Sequence, residues 1–262
     1  MATACKSHST ANINSMMRDI SDYTASYLEN YDFERVMVHF RRKLVVERLH
    51  HYSPEHIVEI GCGPELQSMA YRSQDGRWGS WTIVEPSTEF AEIARNCGLD
   101  DVLVINGHFE EAVSQIECLP TPSMIICSGL LHEVPDPRAL LKAVVSVMGT
   151  ETVLHGNVPN AHSLHRRLGV AMKVTTSVFE SSHRNELLQQ PRVYDFELLE
   201  KDLGAEKLRI FASGGYFIKP FSHDQMARIE DVLGWEVLDG LDALGREHPE
   251  WASEIFFEAV RE

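Results

Sequence analysis

The run Val58-Glu59-Ile60-Gly61-Cys62-Gly63-Pro64-Glu65 sets a Gly-x-Gly turn directly behind a short apolar stretch, His56 to Ile60. Glycines lack the Cβ that would keep a ligand off the backbone, and a turn at the carboxyl end of a parallel strand faces the crevice where such folds bind ligands. A ligand with an adenosyl part is implied. A dinucleotide fingerprint would add a third glycine three residues on, opening a helix whose N-terminus receives pyrophosphate; that position is Leu66. S-adenosylmethionine has no phosphate and carries an ammonium and a sulfonium, which carboxylates suit, and Glu59 and Glu65 flank the turn. A nicotinamide-dependent oxidoreductase is the competing enzyme.

Further along, His132 follows a second apolar run, Met124 to Ser128, and so falls at the same edge of a sheet. An imidazole with an unperturbed pKa of about 6.5 takes up a proton readily at neutral pH, which makes His132 the first candidate for a general base. His162 and His165 are further catalytic candidates. They lie in a stretch, 155 to 192, where Arg166, Arg167, Lys173, Arg184 and Arg192 face only Glu180 and Glu186. Cations gathered in an otherwise acidic chain point to a small substrate bearing a carboxylate or phosphate. His155, Arg166 and Arg167 are its expected contacts there, with Tyr216, Lys219 and His223 from the later Gly214–His223 run, and Tyr27 and Tyr31 from an N-terminal segment closing over the site.

The elements that hold these residues follow from periodicity. Short apolar runs predict strands at 56–60, 81–85, 101–105, 124–128 and 152–158, and further strands at 207–218 and 254–260. Phe33, Val36, Met37, Phe40 and Leu44 share one face of a helix ahead of the sheet. Between strands, Phe90, Ile93, Ala94 and Cys97 follow a Ser87 N-cap, and Leu140, Leu141, Val144 and Met148 follow Asp136 with Pro137 in the first turn. Helices are also expected at 194–203 and 222–234. Alternating strands and helices imply a parallel sheet covered on both faces. No linker interrupts the chain, so residues 15–262 read as a single domain with an N-terminal helical cap and an insertion around 160–192, behind a flexible tail at 1–14.

Composition bounds the function. A formal net charge of −15 disfavours nonspecific binding to nucleic acid or to an anionic membrane. No window approaches the roughly 18 apolar residues of a membrane span. Five cysteines without CxxC spacing fit a reducing cytoplasm, and the thirteen histidines include no HxH or HExxH pair, so no metal is expected.

On these motifs the sequence resembles the class I S-adenosylmethionine-dependent methyltransferases over roughly residues 35 to 262. VEIGCGPE looks like the family's first motif, and WTIVEPS like its second, with Glu85 falling 22 residues after Gly63. The resemblance implies a Rossmann-like, doubly wound α/β fold with a seven-stranded, mostly parallel sheet whose last strand is antiparallel. It implies that Gly61, Cys62 and Gly63 pass under the methionine portion, that Glu85 and the adjoining Pro86 meet the ribose, and that His108 and Phe109 stand near the adenine. ICSGLLHEVPDP resembles the fourth-strand motif, in which Ser128, Gly129 and Leu130 line the cofactor and His132 faces the transferred methyl. Arg41 is expected to reach the cofactor's carboxylate. A noncatalytic cofactor-binding partner on the same scaffold is the alternative outside enzymes.

Overall fold

The computed structural model describes residues 18–262. The tail expected at 1–14 lies outside the described residues. Two helices, α1 (Ile20–Glu29) and α2 (Glu34–Tyr52), precede a sheet whose strands alternate with helices as β1 (His56–Ile60), α3 (Gln67–Arg72), β2 (Ser80–Glu85), α4 (Thr88–Arg95), β3 (Val102–Asn106), α5 (Phe109–Ile116), β4 (Met124–Ser128), α6 (Pro137–Val147) and β5 (Val153–Pro159). Beyond β5 come α7 (Leu164–Ala171), α8 (His183–Leu187), α9 (Phe196–Ala205), β6 (Leu208–Tyr216), α10 (His223–Glu247) and β7 (Glu254–Arg261).

Seven strands pair in the order β3-β2-β1-β4-β5-β7-β6. The five strands from β3 to β5 run parallel, and β7 is antiparallel to both β5 and β6. This is the doubly wound architecture the sequence implies, with the expected reversal of the last strand. Alternation along each strand feeds two cores. Val58, Ile60, Ile125 and Leu154 pack with Leu140, Leu141, Leu199 and Leu203 of α6 and α9. On the other face Ile57, Trp81, Ile83 and Ile126 meet Val45 and Leu49 of α2, Tyr71 of α3 and Phe90 of α4.

The helix ends form as their residues dictate. Ser87 accepts from the Phe90 amide, and Asp136 from those of Arg138 and Ala139 with Pro137 in the first turn. The stripe Phe33, Val36, Met37, Phe40 and Leu44 is wholly buried, packed against Phe217 and Leu238. One expectation is extended: the helix expected to stop at 234 continues to Glu247, because Gly234 takes a left-handed φ of 69° and lets a second helical segment follow a break. The polar stretch 160–192 is also more ordered than an insertion need be. It folds as α7, with none of its own residues buried, and α8, closed by a capping box between Ser182 and Asn185. Among the described residues, no helix is long and apolar enough to cross a membrane.

Candidate active site

At the carboxyl edge of the parallel strands a cleft opens between the sheet, the N-terminal helices and the α7–α8 segment. Its floor is the glycine turn. Gly61 and Gly63 take φ of 72° and 59°, a region open to glycine and costly for a residue with a Cβ. The Gly61 amide donates to the Val84 carbonyl at 2.9 Å, tying the turn to β2. At the end of β2 the Glu85 carboxylate accepts from the Cys62 amide at 2.9 Å, the Gly63 amide at 3.4 Å and the Ser87 amide at 2.8 Å. Burial raises the pKa of this carboxyl, and the three amides oppose the rise. Both oxygens are thus oriented, and Glu85 and Pro86 line the cleft.

Glu59 is a different case. Its position on β1 shares a face with Ile57, so its side chain turns under α3, away from the cleft, where it accepts from Trp81 Nε1 at 2.9 Å. Burial brings its carboxyl up to about 8, with Glu85 adding to the rise and the Trp81 bond opposing it. The expected cofactor contact is corrected to a support behind the turn. Its proton has a consequence for stability. The folded state holds it up to about pH 8, whereas the unfolded carboxyl loses it near 4.5, so ionisation favours unfolding as pH rises between those values. Glu59→Gln should therefore raise unfolding free energy at pH 7 by roughly 2–3 kcal/mol in urea titrations, with the gain vanishing at pH 4.

Ser128, Gly129, Leu130 and His132 form the wall that follows β4. Asn157 holds this wall from β5, donating its amide to Ser128 Oγ at 2.9 Å and accepting the Gly129 amide at 3.0 Å on its carbonyl. His132 is buried, its Nδ1 has no hydrogen-bond partner among the described residues, and Nε2 lies 3.7 Å from Glu133. Burial lowers the His132 pKa, Glu133 opposing, so the ring is neutral at pH 7. Glu133 itself is engaged by Arg18 at 3.0 Å and by the Gln190 amide at 3.0 Å. The N-terminal helices close the opposite side. Tyr23 and Tyr27 line the cleft from α1, Tyr27 meets Phe90 edge-on at 6.2 Å, and Thr24 Oγ1 donates to Ser87 Oγ at 3.0 Å.

Arg41 reaches into the cleft above Gly129, where a Cβ would stand 3.5 Å from its Nε. Its guanidinium pairs with Glu254 and, at 3.2 Å, with Glu34. Beyond it lies a buried polar cluster. Lys219 Nζ is 2.9 Å from His223 Nδ1, His223 Nε2 is 3.2 Å from Glu34, and Arg184 is 3.1 Å from the same Glu34 oxygen. Burial opposes ionisation of Glu34, but His223, Arg41 and Arg184 hold its carboxyl well below the usual carboxylate range. Burial and then Arg184 bring the Lys219 amine down to about 8, and burial and then Lys219 bring the His223 imidazole to about 4. His165 stands in the same cluster with an unpartnered buried Nδ1. Arg166 donates to the carbonyls of Val178 and Glu180 and to Asn185 Oδ1, and among the described residues none of its hydrogen bonds or ion pairs is to a carboxylate.

The structure thus gathers Arg41, Gly61, Cys62, Gly63, Glu85, Pro86, Ser128, Gly129, Leu130, His132, His165, Tyr27, Arg166, Lys219 and His223 around one cleft. Other expectations are corrected. His108 sits at the N-terminus of α5 and Phe109 packs in the core with Val58 and Val84, so neither lines it. His155 is enclosed on the α2 face of the sheet, 3.6 Å from Glu258 and stacked on Phe256, out of a substrate's reach. His162 pairs at 3.3 Å with Asp195 outside the cleft, and Arg167 donates to the His162 carbonyl. Tyr216 stands one residue behind the lining, bonded to Glu254, and Tyr31 bonds to Glu65, which also pairs with Arg42.

Sequence reasoning missed Glu34, Glu133 and Glu254. One of them had a signal. A last strand antiparallel to its neighbours starts where they end, so its first residue, Glu254, had to fall at the ligand edge, opposite Pro159 and Tyr216.

No family model matches the chain, and no curated protein matches it. Solved structures do resemble it in fold. The plantazolicin methyltransferase BamL, crystallised with a desmethyl analogue and S-adenosylhomocysteine, superposes with a TM-score of 0.58 at 13% identity, over 92% of this chain and 97% of that one. A Haloferax volcanii complex of the Trm112 methyltransferase activator with a putative methyltransferase gives 0.60 at 13%, over 94% and 99%. The [4+2]-cyclase SpnF gives 0.52 at 15%, over 84% and 79%. The chain therefore has the fold of the class I S-adenosylmethionine-dependent methyltransferases, and the cyclase is a reminder that this fold serves more than one reaction.

Proposed function

We propose that this protein binds S-adenosylmethionine in the cleft and transfers its methyl group to an oxygen or nitrogen of a small, anionic metabolite or natural-product intermediate in the cytoplasm. The observation that carries the reading is the Glu85 carboxylate, fixed at the end of β2 beside a glycine turn whose Gly63 has open space where a Cβ would be. One oriented carboxylate accepting from two vicinal hydroxyls suits a ribose. The remaining groups fit the methionine portion: Gln67 offers to an ammonium a buried acceptor Oε1 that has no partner among the described residues, and Arg41 offers a guanidinium to a carboxylate. BamL and a second plantazolicin methyltransferase, BpumL, bind S-adenosylhomocysteine on this fold, which supports the same cofactor here.

When bound, the cofactor supplies an electrophilic methyl on a sulfonium and leaves as a neutral thioether. The chain's own task is to exclude water, orient the acceptor and dispose of its proton. Two arginines of the α7–α8 region favour an anionic acceptor: Arg184 shares Glu34 with other cations, and among the described residues Arg166 bonds to carbonyls and an amide and to no carboxylate. A negative group would complete their neutralisation.

The test is direct. S-adenosylhomocysteine should raise the melting temperature, NADH should not, and metabolite extracts should acquire label from methyl-labelled cofactor. Tight binding without label transfer to any extract would favour the noncatalytic partner. His132→Ala, which removes a buried neutral ring beside the transfer point, should lower turnover by about 10²-fold with cofactor affinity kept, as initial rates and calorimetry would show.

A further inference from the structure

The buried cluster at the acceptor end contains groups that cofactor binding does not use. Its order is set by Glu34. Arg41 and Arg184 keep that carboxylate ionised, and an ionised carboxylate only accepts hydrogen bonds. His223 Nε2 lies 3.2 Å from one of its oxygens without an aligned hydrogen bond, close enough that this nitrogen rather than Nδ1 carries the ring hydrogen. Its other nitrogen, Nδ1, is left with a lone pair, and 2.9 Å from it stands Lys219 Nζ. All three side chains border the cleft.

We propose that Lys219, held by His223 beside the Glu34 carboxylate, takes the acceptor's proton during methyl transfer; the proposal rests on the methyltransferase reading. Neutral Lys219 donates one hydrogen to His223 Nδ1 and keeps its lone pair for the cleft. As the acceptor oxygen or nitrogen forms its bond to the methyl carbon and the carbon–sulfur pair stays on sulfur, the acceptor's proton moves onto Nζ. The resulting ammonium donates to His223 Nδ1 and is favoured by the Glu34 and Glu254 carboxylates.

His132 is less well placed. Its nearest carboxylate is 3.7 Å away and bonded to Arg18 and Gln190, and burial disfavours an imidazolium there. His132 keeps the role of orienting the acceptor. The fixed cations around Lys219 fit the assignment as well. It is faced by His223 of α10, Glu34 and Arg41 of α2, His165 and Arg166 of α7, Arg184 of α8 and Glu254 of β7. In this company the amine is neutral for much of the time near pH 8.

Two measurements on the whole protein test it. In protein carrying 13C-labelled lysine, the Lys219 resonance, assigned by its loss in Lys219→Arg, should titrate near pH 8, far below the other lysines. Glu34→Gln should move that titration lower still, since the Glu34 charge favours the ammonium. With methyl-labelled cofactor and the extract acceptor, Lys219→Arg should lose about 10²-fold in turnover at every pH with unchanged affinity for S-adenosylhomocysteine. His132→Ala should keep the wild-type rising pH limb. An ordinary lysine titration, or Lys219→Arg retaining its rate because charge alone suffices there, would overturn the assignment of Lys219. Failure of S-adenosylhomocysteine to bind would instead remove the methyltransferase reading and the base role with it.

Discussion

Glu85→Ala should weaken binding of S-adenosylhomocysteine by at least about 10²-fold, measured by calorimetry. Hydrogen bonds to a charged group contribute roughly 1.5–3 kcal/mol each, and a ribose offers two, so losing both removes two or more orders of magnitude. The loss is in binding chiefly, yet not there alone. Glu85 also accepts the Cys62 and Ser87 amides, so the variant should melt earlier as those buried donors lose their partner. Thermal scans without ligand separate the two effects. An affinity within a few-fold of wild type would show that the ribose is held elsewhere.

The second large effect is expected from Gly61→Val. A Cβ at this position would stand 3.7 Å from a Leu130 methyl, an ordinary contact, so the folded protein has room for it. The cost to the chain comes from φ of 72°, where a β-branched residue is strained by about 1–2 kcal/mol. Binding should fail altogether, because the branched methyls would stand in the cleft that Gly61 and Leu130 both line, where the cofactor's methionine portion is proposed to lie. Calorimetry should detect no S-adenosylhomocysteine binding in a protein whose circular dichroism is native. Retained affinity would move the ligand off the turn.

Much of this was readable in advance, and for a physical reason. Strands such as HIVEI and MIICS are buried on both faces, so their composition alone marks them, and the caps Ser87 and Asp136 announce the helices that follow. With the strand ends known, anything at a strand's carboxyl end is near the cleft, which is why Gly61, Glu85 and Ser128 were found. Depth and direction were harder. His155 and Asn157 project from one face of β5, but only Asn157 lies far enough along to touch the site, and Glu59 differs from Glu85 by facing inward under α3. The acidic partners were the least legible. Glu34 looks like a helix-start carboxylate, and its function depends on Arg41, Arg184 and His223 converging from three separate elements.

The ties between the N-terminal helices and the sheet bear on how long a ligand bound as proposed would be held. Thr24 to Ser87, Tyr31 to Glu65 and Arg18 to Glu133 fasten this segment to three separate strand ends. Under the proposed function, a nucleoside bound beneath them would leave only after these fasteners part, and loosening any one should shorten its stay.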